Sequence, residues 1–568
     1  MMKKIFQRII ILLCVTALLI PAGLAAENRG SGDIRVLLTK VTATDRMEIA
    51  LDGSYSLNGI VFQRGCHLTV SCRTGSILCY YEGMALDTGN TMILTRHACE
   101  DPRAENGLRI NGSYYLYPGS LKLTIENGML RAVLTIGIEE YLNGVVPYEI
   151  GEGSGIEALK AQAIAARTYA LSRAGSSRDF DVYDNTNDQV YYGTKPENVK
   201  TAAAVQATTG MVGWYGGTYA NCYYSASNGG QTESSAHVWG GDPVPYLPVK
   251  NDPYDPENKT ATVMTAVIKK DTETEALPAA LETMLLDALA PTLKTAGYDD
   301  GKENIRIRRI EDITLTGPVY PGSGNLLYRE MTFTLRVSGR RPNVMDDEEE
   351  IYLVTPAVTP TPRPVMSSET LGGFTEVPGS VKVTLPLYGG VEKALDLSIN
   401  AANNEVFTII TEKDAFRIES RRFGHGVGMS QCGAQVMAAE YGMTYEQILN
   451  FYYPGMQIRT ISLTGAAATP VKADFLITPG PAATPTPRPT PVPLTLKPQK
   501  GEYIVVVDQI AVNSSLNMRD APGMGGTILR VLYYGQELIV KQELGDWLQV
   551  YTSEFEGYVM RSFVTKKP

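Results

Sequence analysis

Residues Gly144–Tyr169 read GVVPYEIGEGSGIEALKAQAIAARTY, and this stretch decides the local fold. Its first part predicts a turn bounded by Pro and Gly that holds Glu149. Ser154 and Glu157 have the spacing of a capping box, and Ile156–Ser172 contains no Gly or Pro. The pattern therefore predicts one acidic side chain in a turn directly before a helix. The alanines of that helix would let another element approach closely.

The chain around this stretch predicts strands first and a mixture of strands and helices later. Strands are expected N-terminal to it at Ile34–Leu38, His67–Val70, Lys122–Ile125 and Leu130–Ile136. Further on, the patterns predict helices at Glu273–Thr292, Ser430–Glu440 and Thr444–Phe451 and strands near Ile305–Ile313 and Tyr328–Val337. Strands and helices do not alternate strictly, which predicts an α+β fold with a mixed, β-rich core and a few helices.

Two copies of the hexapeptide TPTPRP, at Thr359–Pro364 and Thr484–Pro489, indicate where packed structure is interrupted. Such Pro/Thr stretches are expected to run as extended linkers. We therefore predict the following organisation: a β-rich N-terminal part at 33–140, a core at 141–465 with a Pro/Thr-rich insertion near 341–378, a linker at 466–500 and a C-terminal module at 501–568.

The C-terminal module is predicted to be a small all-β barrel. Its expected strands are Tyr503–Val507, Gly526–Leu532, Glu537–Gln542, Trp547–Tyr551 and Gly557–Met560. Leu516–Arg519, Trp547 and Gly557–Val559 resemble a bacterial SH3-like domain. Such modules often hold enzymes on the cell wall, so the resemblance implies attachment to the wall.

The first 26 residues are typical of a secretory signal peptide, with Lys3, Lys4 and Arg8 before an apolar run. An uncleaved membrane anchor is the alternative. Cleavage would predict a secreted, cell-wall-associated protein with no membrane span. The 51 basic residues, less the three of the signal, face 61 acidic residues, a net charge of −13. This balance argues against nucleic acid as a partner and favours a neutral or mildly charged one such as a glycan.

Six cysteines follow the signal. Cys66, Cys72, Cys79 and Cys99 either form two disulfides or remain thiols, and the sequence favours neither. A cysteine nucleophile would pair Cys222 with His237, or Cys432 with His425. Nothing beside either cysteine has the pattern of a nucleophile turn.

Glu149 is the only acid in a motif-like setting. Many glycosidases pair two carboxyl groups, but Glu152 follows too soon and Glu157 is assigned to the helix cap. One carboxyl suffices if a sugar hydroxyl of the substrate serves as nucleophile, provided that apolar neighbours raise its pKa. Lys160 and Arg167 share one helical face and could hold a muramic acid carboxylate or a sugar hydroxyl. Their alternatives are a solvated face or an ion pair.

Several blocks in one order resemble the family of stage II sporulation protein D and LytB-type proteins. They are GVVPYEI with EALKAQAIAARTYAL, then YYSASNGGQT at Tyr223–Thr232, VWG, PYL, and FGHGVGMSQCGAQ with YYPG. The resemblance runs with gaps from about Ile34 to Gly455. It implies a lytic transglycosylase that acts on peptide-stripped peptidoglycan strands and gives anhydro-muramyl ends. The alternative from the LytB-type relatives is a glycan-binding enhancer of a cell-wall amidase.

The resemblance also implies roles for individual residues. Glu149 matches the catalytic acid of the family. The positions that match its substrate-binding blocks are Lys160, Arg167, Tyr223, Ser225, Ser227, Gly229, Gly230, Thr232, His425 and Gln431. The sporulation enzyme binds zinc through Cys and His residues, whereas this chain has Tyr183, Asn187 and Asp188 in their places. We therefore predict no zinc and no other cofactor.

Overall fold

The computed structural model describes residues 32–41, 44–73, 75–273, 275–342, 371–400, 402–463, 475–477, 496–509, 515–523, 528–553 and 555–567. The predicted signal peptide and both TPTPRP hexapeptides lie outside these ranges. The chain separates into two compact units, residues 1–478 and 479–568. None of the helices in the described ranges combines the length and the apolar character needed to cross a membrane.

The N-terminal part of the first unit consists of two sheets. In the described residues one sheet has eight strands in the order Val182–Tyr183, Asp33–Leu37, Met129–Gly137, Ser120–Glu126, Thr91–His97, Ser54–Leu57, Ile60–Phe62 and Phe475–Ile477. The second has five, ordered Met84–Asp87, Ser76–Tyr81, His67–Arg73, Arg46–Asp52 and Gly107–Ile110. Alternating buried residues of both sheets share one apolar core, as the period-2 pattern predicts.

Phe475–Ile477 differs from the prediction that 466–500 is wholly a linker. These residues pair in parallel with Ile60–Phe62 and form an edge strand of the eight-stranded sheet. A three-residue strand between Pro/Thr stretches carries too short a pattern to be recognised in the sequence.

Five helices continue the apolar core of these sheets: α1 (Ile138–Asn143), α2 (Ile156–Arg173), α3 (Val199–Ala207), α7 (Gln431–Ala439) and α8 (Tyr445–Tyr452). The short α4 (Ser235–Trp239) lies outside it, and α5 (Ala279–Thr295) and α6 (Glu392–Ala394) belong to a separate core described below. Helix α2 is buried along nearly its whole length and contacts α1, α3, α7 and α8. Its alanines permit these close approaches, as expected.

The predicted capping box of α2 is wrong. Gly155 is the N-cap residue and no side chain caps it, although α2 begins at Ile156 as predicted. The Ser154 hydroxyl instead donates to the Ile150 carbonyl. Glu157 accepts hydrogen bonds from Lys160 and from the backbone N–H of Tyr445. The box occurs at α8, where Thr444 and Gln447 cap each other.

The described residues between 264 and 421 form a second apolar core that the sequence analysis did not separate from the first. Its strands are Met264–Lys269, Ile305–Pro318, Tyr328–Pro342, Leu371–Glu376, Val381–Pro386, Val406–Thr411 and Ala415–Arg421. Helix α5 covers them with Leu281, Leu285, Leu289 and Leu293, all fully buried. This i, i+4 stripe was a usable signal.

The remaining strands of the first unit are short. Met211–Tyr215 pairs with Thr218–Tyr219 and with Gln457–Thr460, and Tyr224–Ser225 pairs in parallel with Met429–Ser430. The last pair brings two segments about 200 residues apart in sequence into register beside the turn that holds Glu149.

The second unit is the predicted small β-barrel. Its strands are Tyr503–Val507, Ser515–Arg519, Ile528–Tyr533, Glu537–Leu544, Trp547–Tyr551, Glu556–Met560 and Val564–Lys566. They form one sheet around their own apolar core.

Candidate active site around Glu149

Glu149 lies in a wide helical turn, Pro147–Gly151, between α1 and α2. Wide π-type turns of this kind are frequent at functional sites. Val145 and Val146, which precede the turn, are fully buried and fix its start. Gly144 packs so tightly that a Cβ there would lie 2.4 Å from the ring of Tyr191. The turn is therefore held in place by packing on the side where it enters.

The carboxyl group of Glu149 receives one hydrogen bond on each oxygen. The Val190 backbone N–H donates to Oε1 at 2.7 Å, and the Gln431 side-chain amide donates to Oε2 at 3.2 Å. Burial raises the pKa of Glu149 above its ordinary value, and the two hydrogen bonds lower it in part. No cation contributes to this shift. The site therefore favours a carboxyl group that is protonated more often than an exposed glutamate.

Nearby acids are engaged elsewhere. Glu152 accepts the N–H groups of Lys200 and Thr201 and so caps α3. Glu157 is bound to Lys160 as described above. No second carboxylate contacts Glu149 among the described residues. The arrangement has one acid with two neutral donors, and lacks the paired carboxyl groups of most glycosidases.

Gln431 is aimed at Glu149 by the start of α7. Ser430 is the N-cap of this helix, and its hydroxyl accepts the Gly433 N–H and donates to Asp255 at 2.5 Å. Asp255 is buried and also accepts hydrogen bonds from Ser227 and from the Gly229 N–H. The buried Asp255 carboxylate thus joins Tyr223–Thr232, here called the Ser/Gly/Thr block, to the helix that presents Gln431.

The predicted binding residues of the Ser/Gly/Thr block lie beside Phe423–Gly428, here called the Gly/His loop, but several of their polar groups already form hydrogen bonds within the protein. Ser227 and Gly229 donate to Asp255, and the Thr232 hydroxyl donates to the Pro248 carbonyl. Gly229 and Gly230 have φ values of +70° and +100°, which favour glycine. Ser225 Oγ is buried with no partner in the described residues, and a Cβ at Gly424 would lie 2.7 Å from Ser225 Cβ.

His425 is held as a neutral imidazole. Its Nδ1 accepts the Val427 N–H at 3.0 Å, so the ring proton lies on Nε2. Burial, and then the charge of Arg422, lower its pKa to about 4. A hydrogen bond to the backbone of Tyr224 raises this pKa in part, and at neutral pH the ring carries no charge.

Tyr223, Trp239 and His425 form an aromatic cluster beside the block. The Tyr223 and Trp239 ring centroids are 4.6 Å apart, and those of Trp239 and His425 are 5.1 Å apart. Trp239 is 51% exposed. Sites for uncharged organic ligands commonly combine aromatic faces with a few polar groups. Trp239 was not among the predicted binding residues, although an exposed Trp followed by two glycines was a visible signal.

Lys160 and Arg167 are not brought to Glu149. The Arg167 side chain is fully buried, forms a 2.6 Å ion pair with Glu139 and donates to the Met211 carbonyl. Lys160 forms a 2.7 Å ion pair with Glu157. Both side chains therefore form ion pairs, which the sequence analysis gave as an alternative to substrate binding. Neither contacts Glu149.

The cysteines lack the geometry of a nucleophile. Burial raises the pKa values of Cys222 and Cys432 to about 12 each. His237 is bound to Glu233 at 2.7 Å, and His425 Nδ1 is bound to Val427. The four N-terminal cysteines form no disulfide and are free thiols, which is the second of the two predicted alternatives; they are Cys66, Cys72, Cys79 and Cys99.

Asp188 occupies a position that matches a zinc ligand in the sporulation enzyme. It accepts the Tyr169 hydroxyl and the Tyr183 N–H, and lies 3.3 Å from Arg173. Among the described residues no cluster of three or more His, Cys, Asp or Glu side chains is arranged to hold a metal ion. Hydrogen bonds and an ion pair hold this loop.

A buried arginine connects the Ser/Gly/Thr block to the Gly/His loop. Arg422 is fully buried and donates to the carbonyls of Asn228 and Gln231, and it lies 3.5 Å from Glu233. Its φ of +96° is unusual for a residue with a side chain. The paired strands Ile305–Pro318 and Tyr328–Pro342 of the second core are joined by a turn that contains Tyr320. The Tyr320 ring stacks on that of His237, with centroids 3.8 Å apart. The sequence analysis identified neither contact.

A cleft of about 800 Å³ opens beside the turn that holds Glu149. One wall is the segment from Ile150 to Gly155, and the other runs from Gln435 in α7 to Tyr441, two residues beyond the end of that helix. The segment from Glu257 to Thr260 forms the third side. The cleft is large enough for a sugar residue. Neither Glu149 nor Gln431 lines it, and its lining residue nearest to Gln431 along α7 is Gln435, one helical turn away.

Comparison with known proteins agrees with the predicted resemblance. Residues 126–215 match the family described as Stage II sporulation protein, and residues 514–565 match the bacterial SH3 domain family. The first match includes Glu149, the whole of α2 and Val190. The resemblance predicted from the sequence is therefore confirmed for these two segments.

Curated relatives align with a longer part of the chain. The Amidase enhancer of Bacillus subtilis (strain 168) is 28% identical over 366 residues, 63% of this chain and 45% of the relative. An uncharacterized protein of Brachyspira hyodysenteriae is 29% identical over 62% of this chain and 74% of its own length. Stage II sporulation protein D of Bacillus subtilis (strain 168) is 25% identical over 61% and 81%, respectively. The chain thus spans less than half of the length of the amidase enhancer.

Proposed function

We propose that this protein is a secreted peptidoglycan lytic transglycosylase with Glu149 as its single acid/base. The observation that carries the proposal is the carboxyl group of Glu149, which is partly desolvated, has a raised pKa and is bound only by neutral donors. A general acid needs a protonated carboxyl group at the working pH, and burial supplies it.

The proposed reaction starts with glycan bound so that the oxygen between MurNAc and GlcNAc faces Glu149. The protonated carboxyl transfers its proton to that oxygen while the bond to the MurNAc anomeric carbon breaks. GlcNAc leaves with a free hydroxyl, and positive charge develops at the anomeric carbon. The Glu149 carboxylate formed in this step is stabilised by the Val190 N–H.

In the second half, the hydroxyl at C6 of the same MurNAc attacks its anomeric carbon. Glu149, now a base, removes the proton of this hydroxyl, which closes a 1,6-anhydro ring and restores the acid. No water is consumed. The absence of a second carboxylate in contact with Glu149 among the described residues fits this route better than hydrolysis.

Gln431 suits both protonation states of Glu149. Its amide N–H can donate to the carboxylate, as observed at 3.2 Å, and after rotation of the amide its carbonyl can accept from the protonated acid. Tyr223 and Trp239 supply aromatic faces beside the uncharged ring of His425. Ser225 Oγ is a further donor that has no partner in the described residues.

Attachment to the wall is proposed for the second unit. Residues 514–565 match the bacterial SH3 domain family, and such modules are typical of wall-bound enzymes. This match supports the proposal that the protein acts outside the cytoplasm at the cell wall, with peptidoglycan strands as its partner.

The test is product analysis by mass spectrometry after incubation with peptide-stripped glycan strands. Anhydro-muramyl ends are expected from the wild type and not from Glu149→Gln. Glu152→Gln, which changes an acid used to cap α3, serves as the matched control and should still give anhydro ends. Anhydro ends from Glu149→Gln at the wild-type rate would contradict the proposal.

A second candidate is a glycan-binding enhancer of a cell-wall amidase, favoured by the name of the 28% identical relative. An enhancer does not need the acid. Addition of Glu149→Gln to a cell-wall amidase acting on intact walls separates the two: undiminished stimulation together with no cleavage by the wild type would establish the enhancer.

A further inference from the structure

Asp255 is a buried acid beside the start of α7, and the proposed reaction gives it no step. It begins the short helical turn Asp255–Glu257, and only 1% of its surface is exposed. The charge of Arg422 acts on it, but that arginine lies closer to Glu233, at 3.5 Å. A buried carboxylate needs hydrogen bonds to replace those it would make with water.

The Asp255 carboxylate accepts four hydrogen bonds, two on each oxygen. Oδ1 accepts the Ser227 hydroxyl at 2.9 Å and the Gly229 N–H at 3.0 Å. Oδ2 accepts the Asn228 N–H at 2.9 Å and the Ser430 hydroxyl at 2.5 Å. Each oxygen therefore faces one backbone N–H, which is always a donor. An asparagine would place its NH2 group against one of these N–H groups in either orientation of its amide, so the site requires a carboxylate.

One of these four donors leads to Glu149. Ser430 is the N-cap of α7, where its hydroxyl also accepts the Gly433 N–H at 3.0 Å. The next residue is Gln431, whose amide donates to Glu149 Oε2 at 3.2 Å. A carboxylate beside a helix N-terminus is also favoured by the helix dipole. Two hydrogen bonds and one peptide bond thus connect Asp255 to the acid.

The start of α7 has little room to shift. A Cβ at Gly433 would lie 1.9 Å from the Tyr452 hydroxyl oxygen and 2.9 Å from Asp252 Oδ2. Tyr452 in turn donates to Asp252 at 2.7 Å. Because the backbone is packed this closely, the place at which Ser430 is held determines where the next side chain points.

We propose that Asp255 is a positioning residue for Glu149: it fixes Ser430 at the start of α7 and thereby directs the Gln431 amide to Glu149 Oε2. That Glu149 serves as an acid rests on the proposed function, whereas the positioning of Gln431 does not. Asp255 touches neither the substrate nor the reacting atoms, and it acts through Ser430 and Gln431 alone.

The test follows the protonation of Glu149 by carbon-13 NMR of protein labelled at the glutamate carboxyl carbon. The signal is assigned by its loss in Glu149→Gln. In the wild type the Gln431 amide lowers the pKa of Glu149 by donating to it. Asp255→Asn should displace this donor and raise the titration midpoint, in the same direction as Gln431→Leu. In the Gln431→Leu background Asp255→Asn should add no further shift, because the connection is already broken.

The activity should respond in parallel. On peptide-stripped strands, kcat/KM at the pH optimum should fall roughly tenfold in Asp255→Asn, as expected for Gln431→Leu. The charges of Tyr141 and Tyr224 would also act on Glu149, but burial holds the pKa of each tyrosine well above 10. Both tyrosines therefore stay neutral during the titration.

Asp181→Asn is the matched control. Asp181 is fully buried, and each of its oxygens also accepts a backbone N–H, from Arg35 at 2.9 Å and from Gly175 at 3.0 Å. These partners belong to the strand Asp33–Leu37 and to the loop after α2, and not to α7. Asp181→Asn should lower the melting temperature and leave the midpoint of Glu149 unchanged, which is also the result of a purely structural role.

The Asp255 variant is expected to fold, because Asn258 holds α7 separately. The Asn258 amide donates to the Cys432 carbonyl at 3.0 Å and to the Gln435 side chain at 2.8 Å. If Asp255→Asn does not fold, Ser430→Ala takes its place, since it removes the donor that links Asp255 to α7 and keeps the other three. It should also raise the midpoint of Glu149.

An unchanged midpoint in the folded Asp255→Asn or Ser430→Ala protein would overturn the inference. So would an equal rise in Asp181→Asn, or a further rise when Asp255→Asn is added to Gln431→Leu. Failure of the proposed function is a different result: the midpoint would respond as expected, while the wild type left the strands uncut.

Discussion

Burial and hydrogen bonding act on Glu149 in opposite directions, and the balance has a measurable effect on stability. Its pKa in the folded protein is above the ordinary 4.5. Below 4.5 both folded and unfolded chains hold the proton, and the favourable burial of the neutral acid is fully present. As the pH rises through the raised pKa, that contribution is lost because the unfolded chain ionises more easily.

Glu149→Gln should therefore gain stability relative to the wild type as the pH rises from 4 to 8, since glutamine remains neutral throughout. Calorimetric melting temperatures of both proteins across this range measure the effect. A difference in melting temperature that is independent of pH would show that the carboxyl is not desolvated in the folded protein.

Gln431 lowers the pKa of Glu149 by donating to its carboxylate. Gln431→Leu should raise that pKa, so Glu149 would remain protonated to a higher pH. The high-pH limb of kcat/KM should move upward, while the maximal rate falls roughly tenfold because the acid is less well oriented.

Gln435→Leu is the matched control for this change. Gln435 lies one turn further along α7 and binds the Ile150 carbonyl instead of the acid. It is expected to leave the high-pH limb in place. A limb that moves downward in Gln431→Leu would mean that Gln431 does not act as a donor to Glu149.

His425 gives a pH dependence of the opposite sign. Its pKa is lowered to about 4 in the folded protein, whereas an unperturbed histidine titrates near 6.5. Between these values the unfolded chain binds the proton and the folded chain does not, so stability should fall as the pH falls. The slope approaches about 1.4 kcal/mol per pH unit.

His425→Gln should flatten the dependence of unfolding free energy on pH between about 4 and 6.5. Urea titrations at several pH values measure it. The same slope in both proteins would indicate that His425 is solvated in the folded protein.

At the scale of elements, the buried side chain of Arg422 joins the Gly/His loop, which it directly precedes, to the Ser/Gly/Thr block. Arg422→Met would leave Glu233 buried without its cation and free two carbonyls, which should cost about 3–5 kcal/mol of unfolding free energy. Arg422→Met/Glu233→Gln should recover part of this loss. Equal denaturant midpoints for wild type and Arg422→Met would contradict this role.

The parts of the site that depend on local sequence patterns could be predicted, whereas those that depend on backbone groups or tertiary contacts could not. Glu149 and α2 follow from turn residues and helix periodicity, which are local signals. Val190 binds Glu149 through its backbone N–H, which nearly every residue type has, so the residue type at this position does not predict the contact. Arg167 looked available because its helical face could be predicted, but the pairing with Glu139 is a tertiary contact. The capping box failed for a similar reason, since Glu157 binds the start of α8.

The elements show the same division. Strand and helix positions with strong periodicity were predicted closely, as for α8 and the barrel strands Tyr503–Val507 and Trp547–Tyr551. That the described residues between 264 and 421 have an apolar core of their own was not predicted, because a shared core depends on which apolar faces contact one another. The leucines of α5 and the long hairpin at Ile305–Pro318 and Tyr328–Pro342 give the signal only in combination.

At the scale of the whole molecule, the two units have separate apolar cores. A protein that ends before Pro479 should therefore cut soluble glycan strands at the rate of the full chain. It should be retained less by insoluble cell walls, as measured by co-sedimentation. Equal retention of both proteins would mean that the barrel does not hold the protein on the wall.

The central claim is that Glu149 cleaves glycan without adding water. It is tested most directly by digesting peptide-stripped strands in water enriched in oxygen-18 and analysing the new muramyl ends by mass spectrometry. The account predicts anhydro ends that are lighter than reducing ends by one water, contain no oxygen-18, and are absent with Glu149→Gln. New reducing ends labelled with oxygen-18 would contradict it, because they require a water nucleophile.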